Sequence, residues 1–165
     1  DDHPDYVVIG EGRTIMLESV DKAINMIMKG SKLIATNLDP NCPVGNGKFR
    51  AGCGAFVAMI EVATGKKAFS VGKPSPVMMR MARKKLELAT DDTVMIGDTM
   101  STDILGAGSM GFTTVLTLSG VTREADLDEF GYAPDFIIHS IQDLLDEALF
   151  EKVIEKHGRD QLVTV

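Results

Sequence analysis

Several features are scarce or missing in this sequence, and each gap excludes something. No long block of Lys or Arg occurs, and 17 basic against 24 acidic residues leave a formal net charge of −7. A phosphate backbone requires a basic face, so a general nucleic-acid surface is not expected. The one basic cluster, Arg83-Lys84-Lys85, is followed by Glu87 and reads as a solvated helix face. Membrane-length apolar runs are absent as well. The longest uncharged run, Ile104 to Thr122, is broken by four glycines and six hydroxyl residues, so no membrane partner is expected. The start, Asp-Asp-His-Pro-Asp, has no basic and apolar character, so no secretory leader is expected there. Cys42 and Cys53 have no second pair and no Cys-x-x-Cys or paired His beside them. They read as reduced thiols of a cytoplasmic protein, with a disulfide between them as the alternative, rather than as a zinc site. Neither an internal repeat nor a low-complexity segment is present.

What remains is an ordinary globular composition, 44% hydrophobic and 25% charged, in a chain long enough for one domain with a real core, or for one domain and part of another. Tyr6 to Ile9 is a short β-rich run closed by Gly10-Glu11-Gly12. Leu17, Val20, Ile24, Ile27 and Met28 recur at helical spacing up to Gly30. Lys32 to Thr36 is a second strand, and residues 37–47 form a polar, proline-rich loop. Phe56, Met59, Ile60 and Ala63 form a helical stripe ended by Gly65. Residues 68–71 then read as a strand, and Ser75-Pro76 as the cap and first position of a helix whose buried face is Met78, Met81, Ala82 and Leu86. A strand at 94–97, a helix over 102–110, a strand at 112–117, a short acidic helix over 123–130, a strand at 134–138 and a helix through Ile141 to Leu149 complete the pattern. The tail after Leu149 reads as an extended helix with a frayed end. Strands alternating with helices predict an α/β fold, a parallel sheet with helices on both faces.

The residues that stand out chemically lie at strand ends. An apolar run stops at Gly97-Asp98, and a second carboxylate, Asp103, follows five residues later. Ligand sites of open α/β sheets are built at the carboxyl ends of strands. Asp98 offers hard oxygen suited to Mg²⁺, and Lys73, after the preceding strand, offers a point charge for a phosphoryl oxygen. Right-handed crossovers between consecutive parallel strands would bring the two together. Asp103, in the next helix's first turn, would favour the helix dipole or orient a metal-bound water. Taken singly, a Lys after a strand is commonly a surface residue and an Asp at a helix start commonly a cap; their joint spacing is what points to a site.

Gly72-Lys73-Pro74-Ser75, followed by Val94-Met95-Ile96-Gly97-Asp98-x-x-x-Thr102-Asp103-Ile104, resembles motifs III and IV of haloacid dehalogenase (HAD) superfamily phosphatases. Leu33-Ile34-Ala35-Thr36-Asn37-x-Asp39, Gly52-Cys53-Gly54-Ala55 and Leu118-Ser119-Gly120-Val121 are similar to the NagD-like branch, which includes p-nitrophenyl phosphatases. The likeness runs from about Pro4 to Leu144. It implies a Rossmann-like HAD core, its C-terminal half at 67–165, and the C-terminal part of an α/β cap domain at 1–66. It further implies a Mg²⁺ ligand in Asp98, a supporting acid in Asp103, and in Lys73 the group that stabilises the nucleophile and the transferring phosphoryl. Thr99 and Thr102 would line the mouth of the site. Asn37 and Asp39 would sit on a cap loop that selects a small phosphorylated metabolite. Leu38 stands where the family usually has Pro, and Thr99 where Asn or Arg is common, which affects substrate contacts more than metal binding.

The family attacks phosphate with the first Asp of an Asp-x-Asp motif on an apolar strand. Within these 165 residues no Asp-x-Asp-x-Thr/Val occurs; Asp126-Leu127-Asp128 lies in an acidic segment with no such strand before it. Residues 33–37 imitate motif II, a strand ending in Thr, but Asp39-Pro40 favours the cap reading. The expectation is therefore an incomplete phosphatase, inactive by itself; a chain truly complete as given would, through its uncovered edges, either pair with another copy or rearrange. The alternative is a non-catalytic HAD-like module that binds a phosphorylated ligand or a protein partner. A generic dinucleotide-binding domain is disfavoured, because Gly106-x-Gly108-x-x-Gly111 ends a helix instead of opening one. His3, His139 and His157 are scattered and receive no catalytic role.

Overall fold

The computed structural model describes residues 3–12 and 14–155; His157 and the end of the tail lie outside them. Two compact units divide between Gly72 and Lys73.

The first unit is built on three short parallel strands in the order β1 (Tyr6–Ile9), β2 (Lys32–Ala35), β5 (Phe69–Ser70). Register pairs Val8 with Ile34, and Ile34 with Phe69. Because successive side chains in a strand alternate between faces, Leu33 and Ala35 are buried on one side while Tyr6, Val8 and Phe69 remain exposed on the other. Helices α1 (Leu17–Met28) and α2 (Cys53–Thr64) supply the buried layer. Val20, Ala23 and Ile27 of α1 meet Cys53, Val57 and Ile60 of α2 over the sheet, with Val7, Ile9 and Ala68 at the margin. Each such aliphatic side chain contributes roughly 1.5–3 kcal/mol by leaving water. Gly65 closes α2 in the left-handed conformation, its N–H returning to Glu61 O at 2.8 Å. Between β2 and α2 the loop expected from sequence carries an antiparallel hairpin, β3 (Asn41–Pro43) with β4 (Phe49–Ala51). The Phe69–Ser70 strand pairs with β2 instead of opening the second unit. The division accordingly falls after Gly72, later than the 66/67 boundary read from sequence.

In the second unit, β6 (Val94–Gly97), β7 (Thr113–Thr117) and β8 (Phe136–Ile138) form a parallel sheet with β7 in the middle. Residues Thr113 to Leu116 of β7 are all buried. The two faces of β7 feed separate clusters. Leu116 packs with Met100 and Ile104. Val115 packs with Ile138 and with Val153 of α5 (Glu147–Glu155). Asp135 fastens β7 by accepting from Thr114 N at 2.8 Å and Thr114 Oγ1 at 3.0 Å.

Helix α3 (Pro76–Leu86) starts where its sequence says it should. Ser75 Oγ accepts from Val77 N at 3.4 Å, Pro76 needs no partner at the first position, and Arg83, Lys84 and Lys85 complement the negative end of the dipole. Its expected buried face is overturned. Met78, Met81 and Leu86 are exposed, Met81 at 67%, and Met79 alone of this helix is fully buried, against Ala107 and Phe112. The apolar spacing is real, but nothing among the described residues covers it. The α2 stripe is likewise rotated, with Val57 and Ile60 buried and Met59 and Ala63 exposed. The helix predicted over 102–110 divides into a π turn, Met100–Ile104, and α4 (Leu105–Gly108). The segments at 124–129 and 141–145 are 3₁₀ turns. Among the described residues no helix is long and apolar enough to cross a membrane. Both cysteines are free thiols.

Candidate functional site

Strand β6 delivers its last residue, Gly97, into a turn that begins with Asp98 and passes at once into the π turn, an arrangement frequent at functional sites. Asp103, buried on that turn, folds back under the strand end. Its Oδ2 accepts from the backbone N–H of Asp98 and of Thr99, each at 3.2 Å. Its Oδ1 accepts from Lys73 Nζ at 2.5 Å. The Asp103 side chain is 3% exposed and the Lys73 side chain 43%. A carboxylate so deeply desolvated is tolerable only when paired and hydrogen-bonded, and these three donors meet that need. Gly97 makes the fold-back feasible, since a Cβ there would overlap the Asp103 side chain.

Asp98, half-buried, is held differently. Thr99 Oγ1 donates to its Oδ1 at 3.2 Å and Val121 N to its Oδ2 at 3.0 Å, while its carbonyl accepts from Thr122 N at 2.9 Å. Gly120 lies so close to this carboxylate that any Cβ would collide with it. Met100, the first residue of the π turn, is clamped on both sides: its N–H donates to Thr122 Oγ1 at 3.1 Å and its carbonyl accepts from Tyr132 OH at 3.0 Å. Burial raises the Tyr132 phenol above its ordinary value of 10.0, which keeps it a donor.

Five of the residues singled out in the sequence, Lys73, Asp98, Thr99, Thr102 and Asp103, thus meet in one unit at the carboxyl end of β6. The expected route is corrected: Lys73 does not follow a strand of the same sheet, because β5 belongs to the other unit's sheet, and it reaches the site by pairing with Asp103. Thr102 is half-buried, its N–H on Thr99 O at 3.4 Å. Asn37 and Asp39 lie in the first unit, on the loop after β2. There Asn37 Oδ1 accepts from Asp39 N at 3.2 Å, and Asp39 O accepts from Gly54 N at 2.9 Å. Gly120, Val121, Thr122 and Tyr132 were not identified as site residues from sequence. The Leu118-Ser119-Gly120-Val121 run was visible as a family likeness, but only the fold shows that its Val121 amide reaches the acid.

As a donor, Asp98 suits Mg²⁺: a hard carboxylate in a cradle kept free of side-chain carbon by Gly120. Asp103 is committed to Lys73 and two amides. Among the described residues no group of three His, Cys, Asp or Glu is placed to hold a metal. The residues present fit the ion as one ligand, not as a complete site.

A family model described as "HAD-hyrolase-like" matches residues 70–144. The dihydroxyacetone phosphatase of Corynebacterium glutamicum is 40% identical over 146 residues, covering 88% of this chain and 53% of that protein. The ribonucleotide monophosphatase NagD of Escherichia coli K12 is 39% identical over 144 residues, 87% of this chain and 56% of NagD. Among solved structures, the p-nitrophenyl phosphatase from Archaeoglobus fulgidus superposes with a TM-score of 0.78 at 33% identity, over 87% of this chain and 56% of its own. The chain therefore spans about half the length of the curated relatives it matches. With its α/β fold, parallel sheets and acid-bearing strand end, it belongs to the haloacid dehalogenase superfamily, in the NagD-like branch.

Proposed function

We propose that this chain carries part of the active site of a Mg²⁺-dependent phosphate monoester hydrolase acting on a small phosphorylated metabolite in the cytoplasm. The observation that carries the reading is the Lys73–Asp103 pair, which braces the turn bearing Asp98 at the end of β6. Asp98 is the metal ligand these residues contribute. The ion, when bound, would neutralise charge developing on the phosphoryl oxygens. The Lys73 ammonium, half-exposed, faces the site as a second positive charge for the same oxygens. Asp103 fixes the Lys73 head group and the Asp98 backbone together. Thr99 and Thr102 border the opening. The first unit is read as part of a substrate-selecting cap, with Asn37 and Asp39 on its contact loop.

The covalent step requires a carboxylate that attacks phosphorus while the alcohol departs, and no Asp-x-Asp-x-Thr/Val motif following an apolar strand occurs within these residues to supply it. Two uncovered surfaces support the view that the site is completed by polypeptide outside them. Strand β6 pairs only with β7 among the described residues, and α3 leaves Met78, Met81 and Leu86 exposed. The purified 165-residue chain is expected to show negligible hydrolysis of p-nitrophenyl phosphate with Mg²⁺. Robust metal-dependent turnover by it would overturn the assignment of an incomplete site. The alternative, a non-catalytic module that binds a phosphorylated ligand or partner, has only the missing motif in its support, and the intact Lys73 and Asp98 lean against it. The coding sequence upstream of Asp1 separates the two, since an in-frame Asp-x-Asp-Gly there decides for the enzyme.

A further inference from the structure

A carboxylate on a turn at a strand end has several rotamers open to it, and a metal ligand is effective only when held in one. Asp103 fixes the backbone N–H groups of residues 98 and 99, but it does not touch the Asp98 carboxylate. Apart from the neighbouring Thr99 hydroxyl, the one group among the described residues that donates to that carboxylate is the N–H of Val121, on Oδ2. The position of Val121 is in turn set by its loop. Leu118 N donates to Ile138 O at 2.9 Å, and Thr122 binds the acid turn twice, through its N–H to Asp98 O and its hydroxyl to Met100 N. Thr122 is 5% exposed, so its hydroxyl exchanges little with water and has a fixed partner. Gly120, between these anchors, leaves room for the carboxylate and nothing else.

We propose that the Leu118–Thr122 loop, through the Thr122 hydroxyl, is the positioning element for the Asp98 carboxylate. This rests on the reading of Asp98 as a metal ligand. Thr122 does not touch the reacting groups; it acts through Met100 and Val121. Replacing the hydroxyl by a methyl of the same size keeps the packing, leaves Met100 N–H without its acceptor and frees the loop end that carries Val121.

The test compares ¹H–¹⁵N spectra of the folded 165-residue chain with its Thr122→Val, Thr122→Ser, Gly120→Ala and Asp98→Asn variants, without metal and then with Mn²⁺ as the probe. The Val121 amide proton, which lies on a carboxylate oxygen, is expected to move upfield in Asp98→Asn and in Thr122→Val, and to return to its wild-type position in Thr122→Ser. Paramagnetic broadening of the amides of residues 97–99 by Mn²⁺ is expected in the wild type and Thr122→Ser, and to be lost in Thr122→Val. A general stability defect does not produce this pattern of loss and rescue. A folded Thr122→Val chain with the wild-type Val121 resonance and wild-type broadening would sink the proposal. Should Thr122→Val fail to fold, Gly120→Ala disturbs the same carboxylate from the exposed side of the loop, and wild-type broadening there is equally fatal. Because a single carboxylate binds the ion weakly, Mn²⁺ is added in large excess over protein; absence of broadening in the wild-type chain even then overturns the metal reading of Asp98, whereas the metal-free Val121 shifts judge the loop separately.

Discussion

The two units both carry a three-stranded parallel sheet, yet they hold it by different means. In the first, two helices cover one face in a single apolar cluster, and the opposite face, with Tyr6, Val8 and Phe69, is left uncovered by the described residues. In the second, the central strand is buried on both faces by separate clusters, and what the described residues leave open is an edge, β6, and the outer side of α3. Order in the first unit comes from packing. At the end of β6 in the second it comes from one buried carboxylate and a ring of hydrogen bonds. Parallel sheets are ordinarily covered on both faces, so an open face and an open edge are complementary signs of surfaces that need a partner.

This contrast is open to direct attack. Ile60 lies in the first unit's cluster at 1% exposure, and Ile60→Ala is expected to cost about 3 kcal/mol through lost burial and a residual cavity. Amide hydrogen exchange should locate the loss in residues of the first unit. An equal loss of protection around β7 would show that the units do not unfold separately. Asp103→Ala is the counterpart in the second unit. Removing one member of a buried pair often costs more, but the Lys73 ammonium is 43% exposed and rehydrates. What remains is chiefly two amides without an acceptor, about 2 kcal/mol, with increased exchange of the Asp98 and Thr99 amides. A variant that keeps those two amides protected would mean the turn is held by packing after all.

The smallest effect is electrostatic and lies in the first unit. The Lys67 ammonium, 2.7 Å from Glu61 Oε2, and then Ala68 N–H on the other oxygen, hold the Glu61 carboxyl below its ordinary value of 4.5. A lowered folded-state value stabilises above the unfolded value and is lost as pH falls through the folded one. Lys67 is 86% exposed, so the gain is at most about 0.5 kcal/mol and is screened by salt. Glu61→Gln should therefore lower the denaturation midpoint slightly at pH 7, with the difference from wild type vanishing in acid. A difference that grows on acidification would reverse the sign assigned to Glu61.

Much of this was legible in sequence where local chemistry decides the outcome. Ser75-Pro76 opened a helix, Gly65 closed one, and the apolar runs at 32–35, 94–97 and 113–117 became strands. The acid turn was legible too, because Gly97-Asp98 and Asp103 have a spacing that a turn alone can bring together. Elements set by tertiary context were not. The β3–β4 hairpin hides in a Pro- and Gly-rich loop, since three-residue strands carry no periodicity. The α3 stripe of Met78, Met81 and Leu86 was read as buried because spacing reports which residues share a face, and cannot report whether that face is covered. Thr122 went unnoticed for a related reason: its partners, Asp98 and Met100, lie more than twenty residues away along the chain.

The uncovered side of α3 also provides a chemical gauge. Thioether sulfur is oxidised to the sulfoxide at a rate that follows its exposure to solvent. Met78 and Met81 stand exposed on this helix while Met79, on the same three turns, is buried, and Met100 beside the acid turn is fully so. Brief peroxide treatment followed by peptide mass analysis should therefore label Met81 ahead of Met78 on this helix and leave Met79 and Met100 as internal standards. Anything that settles on α3, whether a second copy or the polypeptide that completes the site, would be recorded as a slowing at Met81 against an unchanged neighbour.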